Sequence, residues 1–169
     1  MSAEIHIRWM ILRDMPEVLA IEAQSFDVPW NESEFIRNLR CRDQIGMVAE
    51  IKGRVVGFMI YRLDKKALTL LNMAVHPQFR RRGVGASLLD KLAGKLSTKR
   101  RERIEISVID SNLPCHLFLR SLGYEAVEVL RDYEYDEGHV QDAYRFRLHV
   151  ADMELANWGD VTCTNTEAE

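Results

Sequence analysis

The stretch HPQFRRRGVGASLLDKL (His76–Leu92) puts three arginines ahead of Gly83-Val84-Gly85 and then falls into apolar residues of helical spacing, Leu88, Leu89, Leu92 and Leu96. A helix N-terminus leaves backbone N–H groups unpaired and carries partial positive charge. Glycines let the backbone curl into an anion-binding nest and let a ligand approach closely. Arg80, Arg81 and Arg82 add full charges with several donors each. Together these features describe a phosphate site of the diphosphate kind; the plain alternative is a solvated basic turn with a glycine hinge. Two common phosphate motifs do not fit. A Walker loop needs a Gly-Lys-Ser/Thr ending, and the dinucleotide fingerprint would need Gly where Leu88 stands.

Working outward, ALTLLNMAV just before this stretch reads as a strand, as do GMVAEI and RVVGFMIYRL, which Lys52-Gly53 joins as a hairpin. EIHIRWM alternates weakly as a first strand. A helix follows it, with Asp14 as N-cap, Pro16 in the first turn and Glu17 three residues after the cap. VPW breaks the chain, and Asn31 with Glu34 opens a second helix. After the basic stretch, RIEISVI turns Ile104, Ile106 and Val108 to one side and Glu105 and Ser107 to the other. Ser111 is placed to cap a helix through Leu122, with Gly123 just past its end. YEAVEVL and VQDAYRFRL make a last pair of strands around a polar loop. The order β-α-α-β-β-β-α-β-α-β-β is that of a mixed α/β domain.

The chain has 169 residues, 47% hydrophobic and 29% charged, enough for one domain with a real core. The net charge of −3 gives no global attraction to nucleic acid. The charge is uneven. Residues 76–103 hold nine Lys or Arg against Asp90 and Glu102, whereas residues 151–169 hold five acids and no Lys or Arg. The expected division is a domain at 1–150 and a loosely ordered acidic tail at 151–169, with Leu155 and Trp158 able to dock it. Cys41, Cys115 and Cys163 show no C-x-x-C spacing and read as reduced thiols of a cytoplasmic protein. Arg8 and Arg13 interrupt the N-terminal segment, so no signal peptide is expected, and no segment is long enough to span a membrane. Five scattered histidines without ligand spacing predict no metal site.

The segment LLNMAVHPQFRRRGVGASLLDKL resembles the acetyl-CoA-binding motif of the GNAT acetyltransferase superfamily, Arg/Gln-x-x-Gly-x-Gly/Ala after a strand. Arg80-Arg81-Arg82-Gly83-Val84-Gly85 matches it. The resemblance runs over about residues 5–148. Pro29-Trp30, the DSN…LFLRSLGY segment, and Arg131-Asp132-Tyr133 followed by Asp142-Ala143 are similar to one branch, the ribosomal-protein-alanine N-acetyltransferases. The resemblance implies a mostly antiparallel twisted sheet with helices on both faces and an acetyl-CoA cleft between two central strands. It implies that backbone groups of Met73, Ala74 and Val75 pair with the pantetheine arm, with the Met73 N–H polarising the thioester carbonyl. Amides of Arg81, Arg82, Gly83, Val84, Gly85 and Ala86 would hold the pyrophosphate beside Arg80, and Asn112 would bond the cofactor. The acceptor is expected to be a protein or peptide N-terminus such as that of a ribosomal protein, held by Pro29, Trp30, Tyr133 and Tyr135.

The match breaks at the proton-transfer positions. Where the branch has a basic Glu this chain has Ser107, and where it has an acidic Tyr the chain has Leu119. Substitutes are Glu105, on the same strand face as Ser107, and His116, one turn before Leu119, whose plainer reading is a surface histidine. Tyr133 is expected to touch substrate backbone. With no nucleophile motif, transfer in a ternary complex is expected rather than an acyl-enzyme. Two alternatives stay open: a small-amine acetyltransferase, whose groove would be closed where a peptide enzyme's is open, and an acetyl-CoA-binding protein without turnover. A nucleic-acid reading of the basic stretch lacks interleaved aromatics beyond Phe79.

Overall fold

The structure, a computed structural model, describes residues 3–154. In chain order these form β1 (His6–Trp9), α1 (Met15–Ala23), α2 (Glu32–Arg40), β2 (Gln44–Ile51), β3 (Arg54–Leu63), β4 (Ala67–Val75), α3 (Val84–Ala93), β5 (Arg103–Ile109), α4 (Leu113–Ser121), β6 (Glu125–Asp136) and β7 (His139–His149). Short 3₁₀ turns at Leu12–Asp14 and Pro77–Phe79 precede α1 and α3. The strands make one sheet in the order β1-β2-β3-β4-β5-β7-β6. All neighbours are antiparallel except β4 and β5.

Each sheet face buries one hydrophobic cluster because the side chains alternate along the central strands. Val56, Met59, Tyr61, Ile104 and Ile106 face α3 and α4, where Val84, Leu88, Leu92 and Leu119 complete the packing. Val48, Val55, Phe58, Ile60 and Ala74 face α1 and α2 and meet Val18, Ile21 and Phe35. The Lys52-Gly53 turn is left-handed at both residues (φ 51° and 78°), the backbone that suits a two-residue hairpin. The Asn31–Glu34 capping box forms in both directions, at 3.0 and 2.7 Å.

Several local expectations are corrected. Asp14 stands at the N-cap of α1 but caps nothing. Its two oxygens accept from the Arg8 guanidinium at 2.8 Å each, and one also accepts the Ile11 N–H. The strong charge partner on β1 wins over the local cap. Glu17 likewise reaches away, to the Val55 N–H at 3.1 Å. Leu96 falls past the end of α3, although it still packs against the core. Asn112 rather than Ser111 caps α4, accepting the Cys115 N–H at 3.3 Å. The polar loop expected near residues 131–139 is instead strand on both sides of a turn at Glu137-Gly138, bent by three bulges. Residues 150–154 are helical and Met153 packs on the core, so order extends into the segment expected as tail. Leu155, Trp158 and Cys163 lie outside the described residues. No helix among the described residues is long and apolar enough to cross a membrane.

Candidate active site

The sheet parts in its middle. β4 and β5 pair in parallel from Ala67↔Arg103 to Leu70↔Ile106, yet β4 continues to Val75 and β5 to Ile109. Beyond Leu70 the two strands splay, and the edges facing the gap carry unpaired backbone groups. Which groups these are follows from the β3 pairing. The His76 N–H bonds to the Val56 carbonyl at 2.8 Å. Antiparallel pairing alternates, so Ala74 and Asn72 also turn their backbone groups to β3, while Met73 and Val75 turn theirs to the gap. Arg80 Nε already donates to the Val75 carbonyl at 2.9 Å. The groups left for a pantetheine amide are therefore the N–H and C=O of Met73 and the N–H of Val75. Ala74, expected in that set, spends its backbone on Phe58.

The basic stretch closes the wide end of the gap. The backbone is left-handed at Arg81 (φ 63°) and at Gly83 (φ 84°), where successive N–H groups converge into a concave nest. α3 starts directly after it, so the amides of Val84, Gly85 and Ala86 have no partner within the helix. This arrangement fits a diphosphate. The three arginine side chains differ in what they hold. Arg80 is a clasp, with Nη2 donating to Ser25 Oγ at 3.0 Å while Nε holds Val75. Arg82 and Arg54 both lie 5.4 Å from the Phe79 ring, a cation–π pair that keeps charge near the nest. Arg81 is exposed. The two glycines also differ. Gly83 has open space around it and is required by its positive φ, whereas a Cβ at Gly85 would sit 3.2 Å from the Phe118 ring. Gly85 thus serves the contact between α3 and α4.

Ser107 and Leu119, at the positions where the resemblance implies a base and an acid, lie on opposite sides of the sheet. Leu119 is 1% exposed within the cluster under α3 and α4. Ser107 is half-buried on the other face, paired with Arg145, whose guanidinium bonds Glu128. Glu105 is engaged as well, accepting from Arg103 Nε and Arg147 Nη2 at 2.8 Å each. Burial pushes its carboxyl up, but the two guanidiniums outweigh that and hold it below the ordinary carboxylate range. So paired, it is a weaker base than a free carboxylate. His116 is no surface residue: Nε2 donates to the Ile109 carbonyl at 2.9 Å and the ring packs edge-on against Tyr144 and Phe146. Burial pushes the Cys115 thiol up to about 11, too high for a nucleophile at neutral pH.

The residues expected to hold the acceptor fall on the α1–α2 segment and the β6–β7 hairpin. Pro29, Phe26 and Val28 are exposed on the first, Tyr135 and Val140 on the second. Trp30 is half-buried, its ring edge-on to Phe35 at 5.4 Å. Asp142 organises the hairpin. Its carboxylate accepts from Arg131 and from the N–H of Asp132, which is left-handed (φ 50°) in the bulge just before Tyr133. Tyr133 pairs with Gln141, which accepts the Ser111 N–H, so this residue sits at the open end of the splayed strands. Arg131, Asp132 and Asp142 together hold this bulge.

Three residues were missed. Glu22 is 1% exposed and accepts from the Trp30 N–H at 2.9 Å and from Asn72 Nδ2 at 3.0 Å. Burial pushes its carboxyl up, against the pull of those two donors. The signal was an acidic residue on the apolar side of a helix, beside Ile21 and Val18. Asn72 is the matching polar residue inside an apolar strand. Gly57 lets α3 settle on the sheet, since a Cβ there would lie 3.0 Å from Val84 Cγ1. Among the described residues no His, Cys, Asp and Glu are grouped as a metal site.

Comparison with known proteins agrees with this geometry. The model of the acetyltransferase (GNAT) family matches residues 15–124. The ribosomal protein bS18-alanine N-acetyltransferase of Salmonella typhimurium is 31% identical over 139 residues, which span 82% of this chain and 93% of that protein. The crystal structure of the ribosomal-protein-S18-alanine N-acetyltransferase from Escherichia coli is similar with a TM-score of 0.76 at 25% identity, covering 87% of this chain and 94% of that one. Arabidopsis thaliana NAA60, solved in complex with acetyl-CoA, shares the fold with a TM-score of 0.77 at 18% identity, over 88% of this chain and 99% of that one.

Proposed function

The chain belongs to the acetyltransferase (GNAT) family, and from that premise we propose that it moves acetyl from acetyl-CoA to the α-amine of a protein N-terminus, with a ribosomal protein as the favoured acceptor class. The observation that carries the cofactor half is the splay of β4 from β5 with Met73 turned into it and the Arg81–Gly83 nest at its end. The acceptor half is supported by the identity to the Salmonella enzyme and by the exposed apolar residues on both flanks, Phe26, Val28 and Pro29 against Tyr135 and Val140.

In this reading the pyrophosphate lies on the amides of Arg81 to Ala86, and Asn112, through its free amide nitrogen, bonds the cofactor from the head of α4. The neutral amine attacks the thioester carbon. Its carbonyl oxygen becomes an oxyanion facing the Met73 N–H. The C–S bond then breaks, the coenzyme leaves as a thiolate, and the ammonium proton passes to solvent. Neither candidate on β5 supplies a strong base: Ser107 is neutral, and Glu105 is held by two guanidiniums. Tyr133 and Trp30 hold acceptor backbone. Cys41 and Cys115 are free thiols, which supports a reducing, cytoplasmic setting.

The test is mass spectrometry of products from acetyl-CoA with N-terminal peptides and small amines. Acetylated peptide α-amines are expected. Turnover of small amines alone would favour the small-molecule reading. Binding of acetyl-CoA without turnover of any amine would favour a protein that only binds it, a reading motivated by Ser107 and Leu119.

A further inference from the structure

Glu22 is a carboxylate sealed inside the protein and, among the described residues, it has no cationic partner. Burying a carboxylate costs several kcal/mol unless hydrogen bonds or charge offset it. Here the two donors come from opposite sides of the proposed reaction centre. The Trp30 N–H belongs to the acceptor-side segment between α1 and α2. Asn72 is the residue before Met73, on the strand that carries the proposed oxyanion donor. Asn72 lies where β4 bulges against β3, between Ile60 and Tyr61, so its side chain is set by an irregular backbone. A second tie lies close by in sequence: Ser25 accepts from Arg80 and donates to the Ile21 carbonyl at 2.6 Å. The segment leaving α1 is thus fastened to β4 twice, once by Glu22 through Asn72 and once by Ser25 through Arg80 and Val75.

We propose that Glu22 is the positioning residue for the acceptor: by joining the Trp30 amide to Asn72 it seats residues 25–30 against the strand bearing Met73, and so sets where the incoming amine stands relative to the thioester. This rests on the acetyltransferase reading. Glu22 touches no reacting atom, and both its oxygens are already accepting. The consequence is selective. Loss of Glu22 shifts the acceptor side, whereas the splayed edge of β4 and the nest at Arg81–Gly83 stay as they are, because β3 and α3 hold them.

The experiment compares Glu22→Ala, Glu22→Gln and Asn72→Ala with the wild-type chain. Acetyl-CoA affinity is measured by calorimetry, peptide KM and kcat by mass spectrometry, and backbone protection by hydrogen exchange. Glu22→Ala should raise the peptide KM about tenfold, the scale of one lost hydrogen bond to a buried charged group, with acetyl-CoA affinity within about twofold. Glu22→Gln should recover most of the loss, since an amide oxygen still accepts from Trp30 and Asn72 can turn its own oxygen to the new N–H. Asn72→Ala should act in the same direction, and the double variant should cost less than the sum. Exchange at residues 25–31 should quicken in Glu22→Ala and not in Glu22→Gln. Equal losses in acetyl-CoA affinity and peptide KM, or a Gln variant as poor as Ala, would overturn the proposal. Unchanged exchange at 25–31 in Glu22→Ala would also overturn it, even if no acceptor is turned over. Quickened exchange in a protein that acetylates nothing would uphold the tie and defeat the acetyltransferase reading instead.

Discussion

At the residue scale, the two positions where the resemblance leads one to expect a base and an acid carry Ser107 and Leu119. Ser107 stands on the exposed-side face of β5 beside Arg145, and Leu119 is sealed under α3 and α4. These two positions respond differently to repair. Ser107→Glu should be tolerated, because the site is half-buried, and the neighbouring Arg145 guanidinium is already engaged by Glu128 and so leaves the new carboxylate free to act as a base. It should raise kcat/KM for a peptide at pH 7, measured against the same peptide with the parent chain. Leu119→Tyr adds volume to a filled cluster and should cost about 1–3 kcal/mol in denaturant unfolding. Restoring both groups together is therefore predicted to lower the melting temperature even where it raises the rate. The missing acid and base were legible through the resemblance to the alanine acetyltransferase branch, by counting from Asn112. The commitments of Glu105 and Arg80 were not, because their partners Arg147, Val75 and Ser25 are brought to them only by the sheet and by the return of α1.

At the element scale, the nest depends on where α3 begins. Gly83 supplies a φ of 84°, and its replacement by Ala should cost about 1–2 kcal/mol of backbone strain. Acetyl-CoA affinity should fall with it, as calorimetry would show. Gly57→Ala tests the seat of the same helix from below. The new methyl would press on Val84 and on the Ala74 carbonyl, pushing the first turn of α3 off the sheet. Weaker acetyl-CoA binding with peptide KM little changed is the expected pattern. The opposite pattern is expected at the β6–β7 hairpin. Asp142→Ala releases both Arg131 and the left-handed Asp132, so Tyr133 loses its fixed place and peptide KM should rise. Strand limits at β3, β4 and β5 were read correctly from apolar runs, because those runs are buried and bounded by turns. Both strands of the β6–β7 hairpin were read, but its far end at residues 131–139 was read as a polar loop, because the sequence there shows little apolar alternation and bulges break what remains.

At the scale of the whole molecule, the fold sets the left-handed turn at Arg81–Gly83 beside the open backbone edge of β4. The far edge of the sheet is held by charge. Arg8 on β1 grips Asp14, and that guanidinium draws the Asp14 carboxyl below its ordinary range, against the opposing effect of burial. A depressed carboxylate adds stability above its unfolded pKa and gives it up as pH falls through the folded value. Arg8→Ala should therefore cost about 2–3 kcal/mol at pH 7, and should make the chain unfold at a higher pH during acid titration. The order of elements and the family resemblance were visible in the sequence because one motif and seven apolar runs specify them. The division of labour inside the site was not, since it depends on which backbone groups β3 leaves unused. In the proposed reaction acetyl passes to an α-amine without help from a strong enzyme base. A peptide α-amine has a pKa of about 7.7–8.0 and is partly neutral near pH 7, whereas a lysine amine near 10.4 is neutral only at roughly the 10⁻³ level. The most direct measurement is kcat/KM against pH for two matched peptides, one with a free N-terminus and one blocked there with an internal lysine. The account predicts that the free N-terminus reacts roughly a hundredfold faster at pH 7, with a rate that rises with pH and levels off at the acceptor's own pKa. Faster acetylation of the lysine peptide at pH 7, or a second inflection belonging to the enzyme, would contradict it.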